Sequence, residues 1–259
     1  APSRGLGDVY KRQRFLRRYL MNNEICNEET CHDVWGYNRM PLIGDKAPDF
    51  VAETTQGTIR FPEDYEGKWV ILFSHPADFT PVCTSEIATF ATLVDDFKAL
   101  NTELIGVSVD SISSHVAWLK SIQDHVKFNA YDGQPVSFPI IADMKMDVAK
   151  KYGMIQPHAS DTKAVRAVFF IDPKHKVRAV IYYPLSNGRS FSEIKRLLQA
   201  LQTTDQYGVS TPADWNPGDP VLVGAPTTMS ELKSREAGEK VGKDDLECSG
   251  TWYFCRKRL

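Results

Sequence analysis

Apolar positions in this chain fall into blocks whose period changes along the sequence. Trp69-Val70-Ile71-Leu72-Phe73-Ser74 is an apolar run of strand length, the pattern of a strand buried on both faces. Beyond a loop, Ile87, Phe90, Ala91, Val94 and Phe97 recur at three- and four-residue steps. That spacing predicts a helix from Thr84 to about Leu100, with Thr80 as N-cap and Pro81 at the first helical position. Leu104, Ile105, Val107 and Val109 predict a second buried strand over 103–110. Val116, Leu119 and Ile122 predict one apolar side of a helix over 112–125.

The same reading covers the flanks. Residues 47–52 suggest an edge strand, followed by a turn at 54–57 and a short strand at 58–61. A short strand at 138–142 and a short helix at 147–152, ended by Gly153, come next. Two strands, 164–171 and 177–183, enclose the hairpin loop Asp172-Pro173-Lys174-His175-Lys176. Ser190 and Glu193 form a capping-box pair before a helix with Ile194, Leu197, Leu198 and Leu201 on its apolar face. Strand–helix alternation that ends in a hairpin and a helix argues for an α/β fold with a mixed central sheet. After about Gln206, prolines and glycines punctuate a segment of little periodicity, with a short helix expected over 227–237. Such a segment is expected to pack on the main domain or on a partner subunit.

Composition adds bounds. A chain of 259 residues with 42% hydrophobic content allows one large domain, or a core domain with a smaller one. Apolar runs are too short for a membrane span, and a net charge of −2 gives no case for nucleic-acid or membrane binding. A soluble, cytoplasmic protein is expected. Residues 1–20 stand apart, with six basic side chains facing one acid, Asp8. Pro2 to Gln13 resembles a translated sequencing-adapter artefact rather than a targeting arm, so Met21 or Met40 is the expected native start.

The five cysteines, Cys26, Cys31, Cys83, Cys248 and Cys255, are unevenly placed and do not suggest a disulfide framework. Cys26, Cys31 and His32 match no common zinc spacing, so a flexible tail with incidental thiols is expected there. Cys83 differs. It falls in the first turn of a helix, where unpaired backbone N–H groups and the positive dipole end favour a thiolate. It is a candidate nucleophile on that ground alone.

The stretch Phe73-Ser74-His75-Pro76-Ala77-Asp78-Phe79-Thr80-Pro81-Val82-Cys83 resembles the active-site segment of peroxiredoxins, a motif of Pro76, Thr80 and Cys83 in a strand–loop–helix setting. The likeness runs from about Pro41 to the C-terminus and is closest to the 1-Cys-like subfamily that includes archaeal members. It implies a thioredoxin-like fold and reduction of hydrogen peroxide and organic hydroperoxides. On this reading Cys83 is the peroxidatic cysteine, which becomes a sulfenic acid. Thr80 hydrogen-bonds the thiolate or the peroxide, and Pro76 shields the pocket. Arg166, in Thr162–Pro173, matches the family's active-site arginine; a guanidinium also has an independent case, being always charged and able to orient two oxygens. Arg189 resembles a second arginine of the site, and His75 is a candidate hydrogen-bond donor near it.

Cys248-Ser249-Gly250-Thr251-Trp252-Tyr253-Phe254-Cys255 resembles the C-terminal cysteine pair of archaeal-type members. The resemblance makes Cys255 the resolving cysteine, usually acting on a neighbouring subunit, and Cys248 an auxiliary thiol. An N-terminal extension over 1–39, non-native or partly disordered, is expected, followed by a thioredoxin-like peroxiredoxin domain over 40–205 and a dimerisation and tail domain over 206–259, as the resemblance implies. It also implies a homodimer, in some members a ring of five dimers, and a reductant such as thioredoxin, glutaredoxin or another dithiol. No nucleotide, haem or flavin fingerprint is present, so no cofactor is expected. A phospholipase activity known in some members is not expected, because Glu66-Gly67-Lys68-Trp69-Val70 lacks the required serine. A dithiol oxidoreductase expects a Cys-x-x-Cys pair, and position 80 is threonine. An oligomeric holdase chaperone, which needs no active thiol, is the alternative reading.

Overall fold

A computed structural model describes residues 40–237, 246–248 and 250–259. The expectations for Cys26, Cys31, His32 and the N-terminal extension lie outside these residues. The strands are β1 (Phe50–Thr54), β2 (Gly57–Phe61), β3 (Trp69–Ser74), β4 (Thr102–Ser108), β5 (Lys127–Phe128), β6 (Tyr131–Asp132), β7 (Ile140–Ala142), β8 (Arg166–Ile171) and β9 (Val177–Tyr183). The helices among them are α1 (Pro81–Ala99), α2 (Ile112–His125), α3 (Asp147–Lys151) and α4 (Phe191–Tyr207). The C-terminal part adds β10 (Val221–Val223), α5 (Met229–Glu236), β11 (Glu247–Cys248) and β12 (Cys255–Lys257).

Seven strands form one mixed sheet in the order β2-β1-β7-β4-β3-β8-β9. The centre, β7-β4-β3, is parallel, and the outer pairs are antiparallel. Side chains alternate across a strand, so β3 splits its apolar run between two cores. Val70 and Leu72 join the core that α3 covers with Val148 and Ala149. Trp69, Ile71 and Phe73 join the core beneath α1, α2 and α4, with Phe90, Trp118 and Leu198. Each fully buried large apolar side chain contributes about 1.5–3 kcal/mol, which accounts for the unbroken apolar run from Trp69 to Phe73.

The structure corrects several expectations. The first strand is not an edge: β2 holds that position, and β1 lies between β2 and β7. The inward side of α2 is His115, Trp118 and Ile122, while Val116 is exposed. The apolar spacing drew attention to Val116 because a buried histidine does not register as hydrophobic. Ser190 Oγ accepts from Glu193 N, but the Glu193 carboxylate binds Arg196 instead of closing the box. The C-terminal segment forms a small sheet, β10-β12-β11. Its Trp215 and Val221 pack with Ala200 of α4.

Topology decides what meets at one end of the sheet. β3 runs parallel to β4 and β7, and its C-terminal end leads into the loop before α1. β8 runs antiparallel to β3, so its first residue, Arg166, arrives at that same end. The start of α4, preceded by Arg189, closes on it too. Clefts at the carboxyl ends of sheet strands are the usual place for chemistry in α/β folds.

Candidate functional site

Cys83 lies in the first turn of α1 and has no exposed surface. Pro81 occupies the helix start and Thr80 the N-cap position, as expected. Thr80 does not cap with its side chain. Its hydroxyl donates to the Ala77 carbonyl at 2.8 Å, bracing the loop instead. Pro76 is buried, and Phe79 carries a positive φ of 53° while exposing its ring. A bulky residue in that region is a backbone outlier, so the loop is held rather than relaxed.

Two arginines and a glutamate surround the sulfur. Arg166 Nη1 donates to Cys83 Sγ at 3.4 Å and to Glu86 Oε2 at 2.7 Å. Its Nε and Nη2 both donate to the Leu185 carbonyl, which fixes the plane of the fork. Arg189 Nε and Nη2 grip both Glu86 oxygens at 2.9 and 2.6 Å. Arg189 Nη1 donates to the carbonyls of Ser74 and Ala167. All three side chains are buried, so Arg189 is no solvated loop residue. Burial pushes the Glu86 carboxyl up, but Arg189 and then Arg166 more than offset this and hold it below the usual carboxylate range.

The charge count is informative. Two guanidinium ions and one carboxylate leave one positive charge in a low-dielectric pocket beside Cys83. A thiolate at Cys83 would bring the group to neutrality. Buried charges persist only when paired, so the arrangement has one place for an anion, next to the sulfur.

A second buried cluster braces the same loop. Asp78 accepts from His75 Nε2 at 3.0 Å and faces His115 Nδ1 at 2.8 Å. His115 Nε2 points to the Ile141 carbonyl at 3.2 Å on β7. The Asp78 backbone N–H donates to Asp110, which also receives the Ser108 hydroxyl. Burial raises the Asp78 carboxyl, but hydrogen bonds from His115 and then His75 outweigh it and hold Asp78 well below its ordinary value. Burial lowers the His75 imidazole despite Asp78. His115 therefore ties the loop to the sheet through Asp78, while His75 braces Asp78 from within the loop and its Nδ1 has no partner among the described residues. His75, Asp78 and His115 could also hold a metal ion, but their contacts are ordinary hydrogen-bond distances.

The tail cysteines stand elsewhere. Cys248 and Cys255 pair across β11 and β12 and form a disulfide. Cys255 is fully buried and Cys248 half-buried. Trp252, Tyr253 and Phe254 between them stay exposed.

The structure thus gathers Cys83, Arg166 and Arg189 in one contact network, with Thr80, Pro76 and His75 in the bracing loop. Sequence reasoning missed Glu86, Asp78 and His115. Glu86 had a signal: it lies three residues after Cys83, on the helix face that carries Ile87, Phe90 and Val94. A carboxylate on a buried stripe implies a buried partner.

Comparison with known proteins agrees with this geometry. The AhpC/TSA family matches residues 43–180, and the C-terminal domain of 1-Cys peroxiredoxin matches residues 200–236. A peroxiredoxin from Methanosarcina mazei is 55% identical over 219 residues, covering 85% of this chain and 98% of that protein. One from Aquifex aeolicus is 48% identical over 230 residues, with 85% and 98% covered. Among solved structures, a yeast mitochondrial 1-Cys peroxiredoxin superposes with a TM-score of 0.71 at 37% identity, covering 85% of this chain and all of that one. The peroxiredoxin 6 of Arenicola marina gives 0.69 at 35% identity, with 84% and 97% covered. With a buried cysteine at a helix start and an arginine on its sulfur, this chain belongs to the peroxiredoxin family of thioredoxin-fold thiol peroxidases.

Proposed function

We propose that Cys83 is the peroxidatic thiol and that its oxidation is passed to the C-terminal cysteine pair. The observation that carries the first part is the Arg166–Cys83 contact at 3.4 Å within a buried group of net charge +1. The Cys83 thiolate attacks one peroxide oxygen. The O–O bond breaks, the other oxygen leaves as water or an alcohol after taking a proton, and Cys83 becomes a sulfenic acid. Arg166 stabilises the thiolate and the oxygen on which charge develops. Thr80 bonds the peroxide once its hydroxyl turns from Ala77, and Pro76 excludes water. Arg189 acts on the substrate side through the Glu86 bridge, and His75 supplies a ring nitrogen near the loop.

Cys255 then resolves the sulfenic acid. Its thiolate attacks Cys83 Sγ, hydroxide leaves as water after protonation, and a Cys83–Cys255 disulfide forms. Cys248 next attacks Cys255 Sγ and returns Cys83 as thiolate. The product of that exchange is a Cys248–Cys255 disulfide beside a free Cys83, the combination present here. A dithiol reductant completes the cycle. Because Cys83 has no exposed surface, the first turn of α1 must open for the tail to reach it. The exposed aromatics of the tail suit a segment that clasps a partner subunit in a homodimer, on which larger rings of five dimers build. The core domain over 40–205 would then carry the chemistry and the part over 206–259 the dimer contact.

Steady-state peroxide reduction with several reductants, for the wild type and Cys255→Ser, tests this reading. Loss of turnover after one cycle is expected for Cys255→Ser. Full turnover, or failure of a Cys83–Cys255 linkage to appear in peroxide-treated protein by mass spectrometry, would remove Cys255 from the cycle. The holdase alternative predicts that Cys83→Ser keeps client protection intact.

A further inference from the structure

A cavity of about 550 Å³ opens against the tail disulfide, walled by Arg235, Glu236, Glu247, Cys248, Thr251 and Trp252. That volume suits a ligand of small-peptide size. Nothing in the peroxide step uses it. Its walls carry two unmet donors. Arg235 is only 8% exposed, and its Nε has no partner among the described residues. Its Nη1 donates to the Trp252 carbonyl at 3.3 Å. The Thr251 hydroxyl is likewise buried and unpartnered. A buried donor without an acceptor costs about 1–3 kcal/mol, so two on one wall signal an absent acceptor group. A carboxylate meets both, because it accepts a charge-assisted bond from a guanidinium and another from a hydroxyl.

The acids on the cavity wall differ from each other. Glu247 is taken by Arg256 at 3.0 Å. Glu236 is exposed and has no ion pair among the described residues, so it is free to receive an ammonium group. The disulfide is asymmetric as well. Cys248, on the cavity wall, is half-buried, whereas Cys255 is fully buried. An incoming thiolate meets the Cys248 sulfur first.

We propose that this cavity binds a small thiol carrying both a carboxylate and an ammonium, a cysteinyl-peptide type of reductant, and delivers it to Cys248. The proposal deepens the reading above, in which the Cys248–Cys255 disulfide is the product of turnover. The carboxylate pairs with Arg235 and Thr251, and the ammonium with Glu236. The thiolate attacks Cys248 Sγ, forming a mixed disulfide, and the Cys248–Cys255 bond breaks with Cys255 leaving as thiolate. A second molecule of the thiol attacks the mixed disulfide, yielding the small-molecule disulfide and free Cys248. Two thiols are oxidised and one protein disulfide is reduced.

The test uses full-length Cys83→Ser protein with the tail oxidised, so that peroxide chemistry plays no part. Reduction of Cys248–Cys255 is followed by alkylation and mass spectrometry with glutathione, 2-mercaptoethanol, cysteamine and 3-mercaptopropionate. Each rate is divided by that of the same thiol on a small model disulfide, which removes intrinsic reactivity. Glutathione is expected to saturate, to exceed 2-mercaptoethanol at least tenfold on this normalised scale, and to leave its transient adduct on Cys248. Arg235→Gln is expected to remove that advantage and leave 2-mercaptoethanol unchanged. Should Arg235→Gln misfold, the exposed Glu236→Gln decides: it is expected to slow glutathione and cysteamine but not 3-mercaptopropionate. Equal normalised rates for all four thiols, or an adduct on Cys255, would overturn the proposal while leaving peroxide reduction at Cys83 standing. Failure of peroxide reduction at Cys83 would leave the thiol ranking unaffected.

Discussion

The two cysteine centres of this chain are built on opposite principles. Cys83 sits at the end of the central sheet, with no exposed surface, inside a network of Arg166, Arg189 and Glu86. The Cys248–Cys255 pair sits on a three-stranded sheet of eight residues, with Cys248 half-buried beside a cavity and three exposed aromatics nearby. The first centre fixes charge and excludes water. The second leaves Cys248 half-buried at the edge of the fold. A thiol that must form a charged nucleophile gains from a dry pocket of fixed dipoles, whereas a disulfide that must be reduced by another molecule has to be reachable. The proposed cycle asks for both, and the fold places one cysteine centre in the core and the other at its edge.

That contrast can be broken at the charge network first. Arg166→Met should lower kcat/KM for peroxide by about 10²–10³-fold, since it removes both a donor and the charge on the sulfur; stopped-flow reduction measures it. A loss under threefold would mean that the helix start alone sustains the thiolate. Next, Glu86→Gln leaves two buried guanidinium groups without their shared carboxylate. Breaking such a bridge costs about 3–5 kcal/mol, and urea unfolding should show a loss of that size. A change below about 1 kcal/mol would show that the bridge is not what holds the two arginines.

Acid separates the centres as well. Asp78 and Glu86 have depressed folded-state values, so the stability they give is present above the unfolded carboxylate values of about 4 and is lost as pH falls through the folded ones. His75 is also depressed, being buried as the neutral ring. The unfolded chain therefore binds its proton first, and stability declines as pH falls below about 6.5. Chemical denaturation between pH 8 and 3 should show a gentle decline below 6.5 and a steeper one below 4. Asp78→Asn should flatten the steeper part, and an unaltered slope would refute the role given to the Asp78 bridge. The smallest effect belongs to the tail surface. Tyr253→Ala, at an exposed ring, should change monomer stability by less than about 0.5 kcal/mol. A larger loss would mean that this ring is buried by something the single chain does not contain.

Much of the fold was legible because burial imposes periods on the sequence. β3, α1, α2 and β9 lie close to where their patterns put them, since β3 hides both of its faces and the others carry an apolar face at their own period. The position of β1 was not legible: strand order depends on pairing between distant segments, and an interior strand with exposed Val51 reads like an edge. The face of α2 was misread for a chemical reason, because His115 is buried by hydrogen bonds rather than by hydrophobicity.

The sequence by itself determined where Cys83 stands and its local setting. Pro76, Thr80 and Cys83 lie within eight residues, so local backbone rules are enough to place a cysteine at a helix start. Arg166 and Arg189 could be named from a resemblance, but what they do was decided only by tertiary structure. β8 had to run antiparallel to β3 for Arg166 to reach a sulfur 83 positions earlier. Glu86 had to face both arginines for their charges to be tolerated together. Ion pairing acts through distance in space, and that distance is set by the sheet, not by the spacing along the chain.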